Sequence, residues 1–361
     1  MVKAGDSIFI AAGGTGGHTY PALAISEEFQ KEGINIYWIG SLHGMEKKIV
    51  GDKNIKFLGI PVSGYRSKSK LKTIYSILLA IVSTFFSLFL IFKIRPKLVL
   101  GMGGYVSGPI GLAAILARTK LAIHEQNAVP GLTNKILCKF ANRVFEGFPD
   151  TFESTEAIYS GSPVRKQIWL ANKNTEKKPE RLNRILILGG STGARFLNNF
   201  MPRVIQKLCS EDKIKVLHQT GKNDLSVTKD LYKTLNLEDC VTVVPYIEAM
   251  DEAYKNHDLM LSRAGASTIS EILAVGINSI LIPFPFAVDS HQEVNARFLA
   301  DKGACHLILE KDCQLDSFVE LIQRVGFKEH IRQRIILTTS LMAKPDSASI
   351  IMNSCMELFN A

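Results

Sequence analysis

An apolar run, a glycine-rich loop and a helical pattern follow one another twice in this chain, once at the start of each half. Residues 7–12 lead into Gly13-Gly14-Thr15-Gly16-Gly17 and then a helical pattern from about 18 to 31. Residues 185–188 lead into Gly189-Gly190-Ser191-Thr192-Gly193-Ala194 and a helical stretch from 195 to 208. Further short apolar runs at 36–39, 57–60, 98–100 and 121–123, then at 216–218, 241–244, 259–261 and 279–282, alternate with helical patterns. Strands that alternate with helices predict parallel sheets covered on both faces. At 361 residues the chain has room for two such domains. With 46% hydrophobic and 21% charged residues it is neither disordered nor collagen-like. The polar stretch 172–180 lacks apolar periodicity and reads as a linker. The expected division is a first domain at 1–165, a second at 166–345, and a terminal helix at 346–361 that crosses back to the first.

A glycine loop between a buried strand and a helix suits phosphate. Without a Cβ the backbone approaches the ligand, and the helix N-terminus offers free N–H groups and about half a positive charge. Two nucleotide chemistries are disfavoured. Gly14-Thr15-Gly16-Gly17-His18-Thr19 lacks the third glycine of a dinucleotide fingerprint, and the second strand ends Trp38-Ile39-Gly40-Ser41 without an acid. The pattern GxxxxGK[ST] is absent, which disfavours an NTPase. Gly101-Met102-Gly103-Gly104-Tyr105, His124-Glu125-Gln126-Asn127, the segment 262–268 and the segment 283–292 all follow predicted strands, where parallel sheets bind ligands. Two half-domains of this kind predict a cleft that two anionic ligands enter.

The net charge is +9, and it is uneven. Residues 1–160 hold 18 Lys and Arg against 11 Asp and Glu, and the remainder 25 against 23. Between Lys53 and His124 there are eleven basic residues and no acid. Such a field implies an anionic partner. Within it lies an uncharged apolar run at 73–92, with Lys68, Lys70 and Lys72 before it and Lys93, Arg95 and Lys97 after it. Twenty residues is about a bilayer thickness. A span, a buried core helix and a helix touching lipid with one face are the three readings. Basic residues on both flanks disfavour the span. Thr73, Ser76, Ala80, Ser83 and Ser87 recur at helical spacing as a close-packing stripe, which favours the interfacial helix. An apolar run inside the basic stretch is unlike a nucleic-acid surface, so no nucleic acid is expected. Six scattered cysteines without a CxxC pair suit a reducing cytosol, and the N-terminal residues show no secretion signal.

Eight blocks in order make a more specific signature: GGTGGH (13–18), LGMGGYVSGP (100–109), HEQN (124–127) with PGLTNK (130–135), GSPVR (161–165), GGSTGA (189–194), SRAGAST (262–268), SEI (270–272) and HQEVNA (291–296). In these the chain resembles, nearly end to end, the MurG family of N-acetylglucosaminyltransferases of peptidoglycan synthesis. The resemblance implies a GT-B fold of two Rossmann-like parallel-sheet α/β domains facing across a cleft. It implies inverting transfer of GlcNAc from UDP-GlcNAc to the C4 hydroxyl of MurNAc in undecaprenyl-pyrophosphoryl-MurNAc-pentapeptide (lipid I), giving lipid II. It also implies peripheral attachment to an anionic membrane surface at the cytoplasmic face, with cell-wall synthesis proteins as further partners. Another GT-B lipid glycosyltransferase and a UDP-GlcNAc 2-epimerase share the fold and stay open as alternatives.

By the family pattern, UDP-GlcNAc would meet Ser191, Arg165, Ile247 through its backbone, Ala266, Ser267, Thr268, Glu271 and Gln292 in the later blocks. Thr15, Gly16, Gly17 and Asn127 would reach the donor from the first domain. Gly14, Gly104 and Tyr105 would hold the acceptor diphosphate. A general base is needed for the acceptor hydroxyl. His18 is the natural choice because imidazole titrates nearest neutrality. Glu125 is the alternative, and His124 reads as structural. Arg263 is open to simple pairing with an acid. No Asp-x-Asp pair occurs, so no metal and no cofactor is expected, with helix N-termini and Arg neutralising the leaving group. Thr192 replaces a glutamine common in the family, and the loop Pro283-Phe284-Pro285-Phe286 is less polar than expected.

Overall fold

The computed structural model describes residues 5–14, 16–44, 46–51, 53, 55–62, 70–153, 156–172, 184–190, 193–210, 214–326 and 328–359, with the side chains of 70–73 and 288 excepted. Thr15, Ser191, Thr192 and most of the polar stretch 172–180 therefore lie outside the described residues.

The chain forms two compact units: residues 1–165 with 344–361, and residues 166–343. In the first, the elements run β1 (Ser7–Ala11), α1 (Gly16–Lys31), β2 (Asn35–Ser41), α2 (Glu46–Val50), β3 (Lys56–Ile60), α3 (Lys70–Ile94), β4 (Leu98–Gly101), α4 (Gly104–Leu116), β5 (Lys120–Glu125), α5 (Leu132–Leu137), β6 (Arg143–Glu146) and β7 (Ile158–Tyr159). In the second they run α6 (Lys166–Trp169), β8 (Arg184–Leu188), α7 (Arg195–Cys209), β9 (Lys215–Gln219), α8 (Leu225–Thr234), β10 (Val241–Val244), α9 (Met250–Asn256), β11 (Leu259–Ser262), α10 (Ala266–Val275), β12 (Asn278–Leu281), α11 (His291–Ala300), β13 (His306–Leu307), α12 (Leu315–Gly326) and α13 (Glu329–Met342). The last helix, α14 (Ser347–Glu357), belongs to the first unit.

The first sheet has the order β3-β2-β1-β4-β5-β6-β7 and the second β10-β9-β8-β11-β12-β13, and the paired strands are parallel. The order reverses between β1 and β4 in one sheet and between β8 and β11 in the other. Each reversal opens a crevice at the carboxyl ends of those strands. The glycine loops lie there because β1 and β8 are the strands from which each sheet grows outward in both directions.

The period-2 alternation of β1 divides its side chains between two cores. Ile8 and Ile10 pack with Leu23, Ile25, Trp38 and Leu100, and Phe9 and Ala11 pack with Val99, Val106 and Ile110. In the second unit Ile185, Ile187, Leu259 and Leu261 pack under α7 (Leu197, Met201, Val204) and α12 (Phe318, Ile322). β6, β7 and β13 lie toward the sheet margins, and strands of two to four residues carry too little periodicity to be read locally. α14 packs on α1 and β6. Ile351 and Cys355 enter the first core, and Ser347 Oγ donates to the Gly161 carbonyl at 3.0 Å.

Helix α3 is a single helix of 25 residues. Ser76, Ser83, Thr84, Ser87, Leu90 and Ile91 are buried, and the helix packs on α4. Ser83 Oγ donates to the Pro61 carbonyl. Ile77, Leu78, Ile81, Phe85, Phe89 and Phe92 are exposed, Phe85 by 68%. By length and composition the helix is able to cross a membrane, yet only 28% of its apolar window is buried, which excludes the core-helix reading. Its two ends join β3 and β4, strands of one sheet, so residues before and after it stay on the same side.

Candidate functional site

The first crevice is built from the ends of β1, β4 and β5. Gly103 and Gly104 adopt φ of +84° and +74°, a left-handed backbone that disfavours side chains. A Cβ on Gly104 would stand 3.1 Å from the Gly13 carbonyl oxygen, so the two glycine loops are pressed together. Gly14, at φ +96°, is similarly close to the ring of Tyr105. Gly104, Tyr105, Gly14 and His18 are thereby gathered at one place, between the N-terminal turns of α1 and α4. Neither first turn contains an acid, so both helix ends keep their positive character.

The His18 ring lies against Gly103 and Gly104, whose added Cβ atoms would come within 3.3 and 3.4 Å of it. Its Nδ1 is 3.1 Å from Gln126 Oε1, and Gln126 Nε2 donates to the Met102 carbonyl at 2.9 Å. His18 is half-buried and Gln126 buried.

Glu125 is only 2% exposed. Its Oε1 accepts from the N–H and the Nδ2 of Asn127, both at 3.1 Å. Its Oε2 accepts from the Gly131 N–H at 3.0 Å and Asn134 Nδ2 at 2.9 Å. Four donors fill the accepting capacity of one carboxylate. His124 is buried, and its Nε2 donates to the Gly161 carbonyl at 3.0 Å. Burial pushes its pKa down to about 4, despite the opposing influence of that hydrogen bond and of Glu125, so the ring is neutral near pH 7. Arg165 closes the first unit with its guanidinium 4.2 Å over the Tyr20 ring of α1.

The second crevice is built from the ends of β8, β9, β11 and β12. Gly193, at φ +84°, passes so close to the Thr220 carbonyl that a Cβ would overlap it at 2.2 Å. Gln219 bridges the loop and the strand beyond: its Nε2 donates to the Gly190 carbonyl at 3.0 Å, and its Oε1 accepts from the Ile247 N–H at 2.9 Å. Ala266, Ser267 and Thr268 form the first turn of α10, again without an acid. Glu271, one turn later, accepts from Tyr254 Oη at 2.7 Å. Gln292 Oε1 accepts from the N–H groups of Ala264 (3.3 Å) and Phe284 (3.0 Å), which fixes the amide with its oxygen toward the backbone. Before it, Asp289 and Ser290 hold φ near +50°, an uncommon backbone for residues with side chains.

Arg263 is committed to holding this crevice together. It donates to the carbonyls of Ile282 and Pro283, both at 3.1 Å, pairs with Glu310 at 2.6 Å, and lies over the rings of Phe284 and Phe196. The exposed Phe284 and Phe286 of the Pro-Phe-Pro-Phe loop meet edge to face.

Gln126, Gln219 and Tyr254 do not stand out in the sequence. Gln126 lies inside the HEQN block, which was the one signal for it; Gln219 and Tyr254 have none.

Comparison with known proteins agrees with this geometry. The Glycosyltransferase family 28 N-terminal domain matches residues 8–146, and the Glycosyltransferase family 28 C-terminal domain matches residues 184–346. A UDP-N-acetylglucosamine--N-acetylmuramyl-(pentapeptide) pyrophosphoryl-undecaprenol N-acetylglucosamine transferase of Pseudomonas syringae pv. syringae is 38% identical over 353 residues, 98% of each chain. One from a Shewanella species is 37% identical over 323 residues, 90% of this chain and 89% of its own. The crystal structure of Acinetobacter baumannii MurG superposes with a TM-score of 0.79 at 32% identity, covering 98% of this chain and 99% of that one. A putative UDP-N-acetylglucosamine 2-epimerase from Listeria monocytogenes gives a TM-score of 0.71 at 11% identity, covering 99% of this chain and 97% of its own, a likeness of fold alone.

Proposed function

The chain belongs to the MurG family of glycosyltransferase family 28, and from that premise we propose how its residues carry out the family's reaction. It is an N-acetylglucosaminyltransferase that moves GlcNAc from UDP-GlcNAc to undecaprenyl-pyrophosphoryl-MurNAc-pentapeptide. The observation that carries the reading is the gathering of the sequence blocks at two crevices, one in each unit, each at the switch point of its sheet. The epimerase alternative has only fold likeness in its favour.

In the donor crevice the diphosphate of UDP-GlcNAc sits at the loop 189–194 with Ser191, and on the N–H groups of Ala266, Ser267 and Thr268. Tyr254 holds Oε2 of Glu271, whose carboxylate is the acceptor for the ribose hydroxyls. The Ile247 backbone meets the uracil, and the Gln292 amide donates to the sugar. Arg165, Asn127, Gly16 and Gly17 are further donor-binding residues by the family pattern.

In the acceptor crevice Gly14, Gly104 and Tyr105 hold the lipid-linked pyrophosphate against the positive helix ends. His18 takes the proton of the MurNAc C4 hydroxyl as its oxygen attacks the anomeric carbon. The C1–O bond to UDP breaks with inversion. Fixed helix dipoles stabilise the departing diphosphate, and a preorganised donor set of this kind supports catalysis without a metal. Glu125, saturated by four hydrogen bonds, orients Asn127 and the following loop rather than acting as the base.

The exposed face of α3 docks the first unit on an anionic leaflet. Burying a Leu, Ile or Phe side chain is worth about 1.5–3 kcal/mol, and each cation near such a surface about 1 kcal/mol. Leu116 of α4 and Ile136 of α5 are also exposed, on helices packed in series beside α3. The decisive experiment is incubation with UDP-[14C]GlcNAc and a lipid I analogue. Labelled lipid product is expected; labelled free epimerised nucleotide sugar, with no lipid product, would overturn the reading.

A further inference from the structure

We propose that Gln126 is a positioning residue that locks His18 in the tautomer carrying its proton on Nδ1, so that Nε2 is the basic atom. This rests on the reading of His18 as the general base. The argument begins from the backbone. The carbonyl of Met102 only accepts hydrogen bonds, so the Gln126 side chain must turn its NH2 group toward it, as the 2.9 Å contact requires. That choice leaves Oε1, an acceptor, facing the imidazole at 3.1 Å. An acceptor opposite Nδ1 holds a hydrogen there, and in a neutral ring the lone pair is then on Nε2. Turning the amide over would set two acceptors face to face at Met102.

The scaffold allows little freedom. Gln126 is 1% exposed at the end of β5, and Met102, at the end of β4, donates its own N–H to the Ala11 carbonyl of β1 at 2.9 Å. Three neighbouring strands therefore fix the point that fixes the imidazole. Gly103 and Gly104 wall the ring closely enough that a side chain on either would crowd it. His124 of β5 lies within electrostatic reach of His18, and Asn134 Nδ2 of α5 flanks Gly103 together with the His18 ring. Glu125 is saturated by other donors and His124 is neutral, so neither competes for Nδ1.

The test reads the tautomer directly. In the full-length protein labelled with 15N-histidine, long-range 1H–15N spectra distinguish the two neutral forms, and the His18 signals are assigned by their loss in His18→Ala. The Nδ1–H form is expected in the wild type; an Nε2–H form there overturns the assignment without any variant. Gln126→Met keeps the volume and removes both hydrogen bonds. It should mix the tautomers and lower kcat by about tenfold or more, within the roughly 10²–10⁴ contributed by a general base, while KM for UDP-GlcNAc stays within about twofold. An unmixed tautomer or an unchanged kcat in a folded Gln126→Met protein overturns the positioning role. A near-normal kcat in His18→Ala instead sinks the base reading, and the wild-type spectrum still decides the tautomer separately.

Discussion

The Tyr254 hydroxyl donates to Glu271 Oε2 at 2.7 Å, joining a buried residue of α9 to a half-buried carboxylate on α10. The carboxylate is thus held in place by its Oε2. A hydrogen bond to a charged group contributes about 1.5–3 kcal/mol. Tyr254→Phe should therefore raise KM for UDP-GlcNAc by about tenfold or more with kcat changed little, because the contact is made equally in ground and transition states. Steady-state kinetics at saturating acceptor measures this, and an unchanged KM counts against a ribose role for Glu271.

His18 and Glu125 respond differently to substitution if one is the base and the other an anchor. His18→Ala should lower kcat by about 10²–10⁴ with the melting temperature nearly unchanged. Glu125→Ala orphans the donors of Asn127, Gly131 and Asn134, and each unsatisfied buried group costs about 1–3 kcal/mol. A lowered melting temperature is then its first effect. A Glu125→Ala protein with wild-type stability and no activity would reverse the assignment.

Acid should destabilise both units through buried histidines. His124, pushed by burial to about 4, and His218, pushed by burial to about 3, bind protons more readily when unfolded. Between pH 6.5 and 4 the unfolded state therefore holds more protons, and stability falls as pH falls, by about 1.4 kcal/mol per pH unit for each group. Above pH 6.5 their contribution is fully present. Urea unfolding at pH 7.5 and 5 should reveal the loss, and His124→Gln, which can still donate to the Gly161 carbonyl, should reduce it. The same slope in both proteins would rule His124 out.

Membrane attachment by α3 predicts co-sedimentation with phosphatidylglycerol vesicles that weakens with salt. Phe85→Ser with Phe89→Ser should release the protein from vesicles while leaving turnover of a short-chain soluble acceptor within about twofold, since both side chains are exposed. Equal binding of wild type and variant would exclude this face.

Excess chelator should leave the transfer rate unchanged in the absence of added divalent ions. A loss restored by Mg²⁺ or Mn²⁺ would mean that the helix ends need a cation to neutralise departing UDP.

The sequence by itself determined the local units. The glycines at 13–17 and 189–194, set between apolar runs and helical periods, specify strand, turn and helix through steric rules that act over a few residues. It also marked α3, because small residues at helical spacing predict one packed stripe among otherwise bulky side chains, and Ser76, Ser83 and Ser87 are buried. Through the family blocks it named His18, Glu125 and Glu271. Tertiary structure alone decided what those groups touch. Gln126 reaches His18 across 108 positions of sequence, and Asn198 Nδ2 reaches the Thr220 carbonyl across 22. The short strands β6, β7 and β13 and the packing of α14 against α1 likewise depend on neighbours distant in the chain. A hydrogen bond is chosen by distance and direction between two groups, and those are set by strand order. Strand order follows from how apolar faces are shared among all the elements, which no local period records.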